Sequence, residues 1–245
     1  IGELIDPIAS GTITEADVLA DFYQPNVYKR TSDDQITIAK NGQLPTFMQT
    51  PPPLFPVRPA GQAVRVLAFG DWGSGLPGQK SAAAAMRAEH AARPFDFAIT
   101  LGDNFYSDGV TGVDDPKWQN VFETPYASLD LPFWAVLGNH DYGGNGGGWE
   151  PYRTDAQVAY TQYSAKWHMP DQSWATQLGI ASVFGLDTNA IAWERGADQI
   201  AWFPGARDAS VGPWRIVLGH HTFVSNGPHG NAGRWDGGNG GSVFK

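Results

Sequence analysis

The sequence predicts an α/β fold, and three observations carry that prediction. Short apolar runs of strand length recur along the chain, separated by stretches with helical character. The clearest of them are apolar almost throughout rather than alternating, as expected for strands of a sheet covered on both faces. Four of the runs end in a glycine followed at once by a side chain able to bind a cation.

The regular pattern begins at Ala63. Residues 64–69 form the first strand and lead into Gly70-Asp71-Trp72-Gly73. Residues 81–92, with their alanine run, are helical and stop before Pro94. The second strand, 95–101, delivers Gly102-Asp103-Asn104-Phe105-Tyr106. Residues 116–128 read as helix interrupted near Pro125. The third strand, 131–137, ends in Gly138-Asn139-His140-Asp141, and the glycine-rich loop 143–148 follows. Residues 156–167 form a helix with Val158, Tyr160 and Tyr163 among its apolar positions. Two further strands fall at 182–186 and 214–218, the second running into Gly219-His220-His221. Residues 226–241, mostly glycine, asparagine and other small polar types, are loop.

The first 62 residues differ. Thr14-Glu15-Ala16-Asp17 resembles a capping box for a short helix over 16–22. Residues 35–39 are strand-like, and the prolines from Pro45 to Pro59 impose extended chain. The expectation is an irregular, proline-rich segment over 1–62, whose role is not visible, and one α/β domain over 63–245. The chain begins at Ile1 rather than Met, so either a leader has been removed or the sequence starts partway along a longer polypeptide.

Composition narrows the function. A formal charge of −9 argues against nucleic acid as partner, because a phosphate-backbone footprint needs a basic face. It leaves room for a small phosphorylated substrate, since multivalent cations reverse the local sign. The absence of cysteine excludes disulfides, thiolate metal sites and a thiol nucleophile. No apolar run is long enough to span a membrane.

Asp71, Asp103, Asn139 and His220 each lie just past the C-terminal end of an expected strand, the edge at which open α/β sheets bind ligands. Taken singly, each motif has a bland explanation: Asp71 as a turn residue, Tyr106 as a packed aromatic, His220 as a satisfied histidine. Repeated four times in the same strand–glycine–ligand order, they point to a two-metal phosphoester site. Carboxylate, amide oxygen, phenolate and imidazole suit Fe, Mn or Zn. Asp103, with two oxygens, is the candidate bridge.

These four blocks resemble the calcineurin-like metallophosphoesterases, and Tyr106 selects the purple, tartrate-resistant type acid phosphatases among them. The resemblance covers roughly residues 63–235. It implies a layered sandwich of mixed β-sheets flanked by helices, with a ferric ion held by Asp71, Asp103 and Tyr106. It implies a second divalent ion (Fe, Zn or Mn) held by Asp103, Asn139 and His220. His140, with His229, would face the substrate phosphate; Asp141 either orients a histidine or closes its turn. The implied activity is hydrolysis of phosphate monoesters by a metal-bound hydroxide, with a phosphodiesterase of the same superfamily as the alternative. An exported location, secreted or periplasmic, is likewise implied.

One departure stands out. The family's fifth block, Gly-His-x-His, which gives one imidazole to each metal, does not occur. The expectation is that the chain stops short of its natural C-terminus; otherwise it is a non-catalytic protein that binds metal or phosphate.

Overall fold

The computed structural model describes residues 63–222; the expectations for 1–62, for His229 and for the loop after residue 222 lie outside it. The first sheet is built from β1 (Val66–Phe69), β2 (Phe97–Leu101), β3 (Phe133–Val136) and the two-residue β4 (Trp167–His168). Its order is β1-β2-β3-β4 and every pairing is parallel, with Val66 opposite Phe97 and Ala98 opposite Phe133. The second sheet is mixed: β5 (Trp174–Leu178) runs antiparallel to β6 (Ala181–Gly185), and β6 runs parallel to β7 (Trp214–Leu218).

The two sheets pack face to face. Phe97, Ile99, Trp134 and Val136 of the first meet Trp174, Leu178, Val183 and Leu218 of the second in one buried cluster. The Trp174 indole donates to the Ala135 carbonyl at 2.9 Å, tying the layers together. The outer face of the first sheet is covered by α1 (Pro77–Ala92), a π-helical turn at Trp118–Glu123 and α2 (Pro151–Tyr160). On the second sheet, α3 (Thr188–Ala192) follows β6, and α4 (Ala197–Asp208) lays Phe203 against Phe184. The result is the expected layered α/β sandwich. Among the described residues no helix is long and apolar enough to cross a membrane.

Several elements differ from the sequence expectation, for physical reasons. Both α1 and α2 start earlier, at a proline in the first helical turn, where the missing N–H costs nothing. The helix expected over 116–128 is reduced to the π-helical turn, because Trp118 and Phe122 are drawn into an aromatic cluster; the Trp118 ring lies 3.5 Å from that of Tyr160, nearly parallel. The segment after Tyr160 leaves the helix so that Trp167 and His168 can pair with β3. Strand β5 and helix α4, the latter containing Pro204, had no distinct sequence signal.

His168 makes the fold sensitive to acid. It is buried in β4 and stacked on Trp134 at 5.0 Å, and burial pushes its imidazole down to about 4. The unfolded chain, at the ordinary value near 6.5, therefore binds a proton that the folded chain refuses between those limits. Stability is present above about pH 6.5 and is lost as pH falls toward 4, by about 3 kcal/mol at the lower limit. Denaturant titrations from pH 7 to 4 check this: His168→Gln is expected to flatten the slope over that window, and an unaltered slope would exclude His168 as its source.

Candidate metal centre

The C-terminal ends of β1, β2, β3 and β7 meet at one rim of the sandwich, so four loops distant in sequence share one cleft. It holds about 430 Å³ and is lined by Asp71, Asp103, Tyr106, Asn139, His140 and His220, with Asn145 to Gly147, His221 and Thr222 at its margins. Asp71 and Asp103 both adopt left-handed backbone, at φ 54° and 52°. For a non-glycine residue this conformation is uncommon and is held only by surrounding structure. Here the Asp71 N–H donates to the Gly102 carbonyl at 3.1 Å, and the Tyr106 N–H donates to the Gly73 carbonyl at 2.9 Å, which ties the two loops to each other.

Asp103 is the centre of the arrangement, 3% exposed, and its two oxygens face different groups. Oδ2 accepts from the Tyr106 hydroxyl at 2.7 Å, and the same hydroxyl lies 3.1 Å from Asp71 Oδ1. Oδ1 accepts the His140 N–H at 3.0 Å and stands 3.5 Å from His220 Nε2. Gly138 permits this approach: a Cβ there would sit 2.3 Å from Asp103 Oδ1 and from its amide nitrogen.

The side chains on the Oδ1 side are aimed by backbone carbonyls. His220 Nδ1 donates to the Leu101 carbonyl at 2.8 Å, which leaves Nε2 bare in the neutral ring. The Asn139 amide donates from Nδ2 to the Gly146 carbonyl at 3.0 Å, which turns its Oδ1 toward His220 Nε2, 3.1 Å away. Three lone-pair-bearing atoms, Asn139 Oδ1, His220 Nε2 and Asp103 Oδ1, thus converge. On the Oδ2 side the phenol of Tyr106 is pushed well above its ordinary pKa, first by burial and then by the hydrogen bond and charge of Asp103, with Asp71 adding to both.

The donor set itself suits cations. One ligand atom each from Asp71, Asp103 and His220 lies within 4.8 Å of the others, and all the remaining donors are oxygens. Crowded acceptors raise one another's proton affinity, and a multivalent cation among them reverses that logic. The residues present therefore fit hard or borderline metal ions.

His140 lines the cleft beside this cluster. Its Nδ1 donates to the Ser107 carbonyl at 2.8 Å, its ring packs on Tyr106 at 4.6 Å, and its Nε2 is 4.0 Å from Asp103 Oδ2. Asp141, open from the sequence as a group that orients a histidine or closes its turn and so a candidate catalytic residue, lies buried behind the cleft and not in its lining. It is fully buried, and its carboxylate accepts the N–H groups of Asn104, Phe105 and Gly138 and the amides of Gln157 and Asn104. Burial, with the charge of Asp103, pushes it up to about 6 against those donors. Of the two roles open from the sequence, it closes its turn.

Asn104 is the residue within the motifs whose importance the sequence does not show. It is fully buried, and its Oδ1 accepts from the Trp72 indole and the Thr100 hydroxyl while its Nδ2 donates to the Val136 carbonyl. Three of the four ligand loops are thereby joined through one amide. Gln157 on α2, bonded to both Asn104 and Asp141, has no motif around it to mark it.

The chain matches the family described as Calcineurin-like phosphoesterase over residues 64–239 and belongs to that family of metal-dependent phosphoesterases. It is 31% identical over 191 residues to purple acid phosphatase 3 of Arabidopsis thaliana, an alignment covering 69% of this chain and 50% of that protein. It is 30% identical over 203 residues to the human tartrate-resistant acid phosphatase type 5, covering 70% of this chain and 60% of that protein. The chain thus spans 50% and 60% of the lengths of these two relatives. Its fold is similar to that of GAP50, described as the anchor in the inner membrane complex of Plasmodium, with a TM-score of 0.58, 23% identity, and coverage of 69% of this chain and 58% of that one.

Proposed function

We propose that this protein hydrolyses phosphate monoesters at a binuclear centre, a ferric ion on Asp71, Asp103 and Tyr106 and a divalent Fe, Zn or Mn on Asp103, Asn139 and His220. The observation that carries the proposal is the placement of Asp103, whose two oxygens face two separate donor groups, a phenol with a carboxylate and an imidazole with an amide oxygen. The purple acid phosphatase relatives support phosphoesterase activity, the coarser part of this reading. When bound, the cations supply Lewis acidity toward water and toward the phosphate oxygens.

The protein's own groups prepare the rest. The cleft's polar wall lets a phosphate enter from solvent while Asp103 stays buried behind it. With Nδ1 committed to the Ser107 carbonyl, His140 presents Nε2 to the cleft. Protonated there, it hydrogen-bonds a phosphate oxygen and delivers a proton to the leaving alkoxide. His229, assigned the same task by resemblance, belongs to the proposal as the second donor. The substrate is a small phosphorylated molecule; nucleic acid and membranes play no part. A chain without cysteine needs no particular redox compartment, which suits the exported location we propose with this activity.

The test is metal analysis of the purified chain together with rates on p-nitrophenyl phosphate and bis(p-nitrophenyl) phosphate. Faster monoester turnover, lost in chelator and restored by iron with zinc, supports the proposal. Faster diester turnover would move it to the phosphodiesterases. A second reading, a protein that binds metal or phosphate without turnover, is favoured by one observation: among the described residues His220 is the one imidazole in the ligand cluster. A visible phenolate-to-iron absorption band with no hydrolysis would establish that reading instead.

A further inference from the structure

We propose that Thr188, which lies outside every motif in the sequence, is a positioning residue for the half of the centre formed by Asn139 and His220. The inference rests on the metal-centre reading above and adds to it the group that seats the His220 loop.

Thr188 opens α3 just past the end of β6 and is buried. Its Oγ1 accepts the N–H of His220 at 3.2 Å and the N–H of His221 at 3.1 Å. Both lone pairs are then in use, so the hydroxyl proton is left to donate, and His221 Nδ1 lies 2.8 Å away. One hydroxyl thus makes all three of its possible hydrogen bonds to a single turn. Packing is equally close, since a Cβ on Gly219 would meet Thr188 Cγ2 at 2.5 Å. Thr188 is itself anchored through Asp187, which caps α3 by accepting from Ala190 N–H at 2.9 Å and also accepts from the Tyr142 hydroxyl.

The consequence falls on His220. Its ring is aimed by the Leu101 carbonyl of the first sheet, and its backbone is held by the hydroxyl that opens α3. The 3.1 Å approach of Nε2 to Asn139 Oδ1 needs both supports. Deleting the hydroxyl removes the acceptor that the two backbone N–H groups share, and the turn loses the contact that seats it. Groups standing behind a metal ligand commonly change affinity by 10–100-fold when removed. All three hydrogen bonds of the Thr188 hydroxyl go to His220 and His221 and none to Asp71 or Tyr106, so the other half of the centre is left alone.

The experiment titrates wild type, Thr188→Val and Thr188→Ser with Zn²⁺ alone against a chromophoric chelator, with thermal melting in EDTA alongside. Wild type is expected to bind in two steps. In Thr188→Val one step weakens about 10–100-fold while the other holds, and Thr188→Ser, which keeps the hydroxyl, restores it. Two unchanged steps in Thr188→Val overturn the proposal. Equal weakening of both, in line with a lower melting temperature in EDTA, also overturns it, because that pattern is loss of fold rather than loss of position. A wild-type chain that takes up no Zn²⁺ would overturn the metal-centre reading itself, independently of Thr188.

Discussion

Asp103→Ala is expected to abolish phosphate-ester hydrolysis, by about 10³-fold or more, equivalent to about 4 kcal/mol of barrier, and to remove both cations from the purified chain. The size follows from position. Asp103 is the one carboxylate that touches both donor groups, with Oδ2 at Tyr106 and Oδ1 near His220. Alanine leaves those groups without a shared anion and leaves the His140 N–H without its acceptor. Asp103→Asn is the informative companion. Its side chain keeps one oxygen and offers an amide in place of the other, so it serves one donor group and opposes the other. It should hold close to one cation where wild type is expected to hold two. Metal content after equilibrium dialysis and turnover of p-nitrophenyl phosphate are the measurements. Activity within twofold of wild type in Asp103→Ala would falsify the bridging role.

The second large effect is expected at Asp141, where no substrate can reach. Asp141→Ala should lower unfolding stability by about 3 kcal/mol, because buried N–H donors lose their acceptor. The donors at stake are the main chains of Asn104, Phe105 and Gly138, which carry the second and third ligand loops. Asp141→Asn should rescue little, since it directs an NH₂ group at partners that are themselves donors. Turnover is expected to fall because Asp103 and Asn139 are no longer held in register, yet the pH–rate profile should keep both limbs at reduced height. Loss of one limb would instead mark Asp141 as an acid or base and would overturn its assignment as a turn residue. Denaturant titration and a pH–rate series on the same variant separate the two outcomes.

The success and failure of the sequence expectations follow the same physics. Strands β2 and β3 were legible because strands buried on both faces read as nearly continuous apolar runs, and the more exposed β1 and β7 because each ended where glycine and a polar ligand broke the run. Helix starts were misjudged by several residues because the alanine run outweighed Pro77, and Ala156 outweighed Pro151. The π-helical turn at Trp118–Glu123 was read as an ordinary helix because its shape comes from aromatic packing against Tyr160, distant in sequence. Strand β5 was missed because its pairing with β6, rather than an apolar run, makes it a strand.

The sequence by itself determined the α/β class and the family, and it marked Asp71, Asp103, Tyr106, Asn139 and His220 as candidate donors, because ligand chemistry is a property of side-chain type and strand ends are marked locally. It could name Asp141 but not say which way its carboxylate turns. Tertiary structure decided that, and it decided how the donors are aimed: His220 by the Leu101 carbonyl, His140 by the Ser107 carbonyl, Asn139 by the Gly146 carbonyl. Carbonyl groups are present at every position and carry no residue signature, so a sequence cannot show which of them will face a ligand. Thr188 and Gln157 were invisible for a related reason, since each acts on a loop that follows a different element of the chain, across a contact that exists only once the chain has folded.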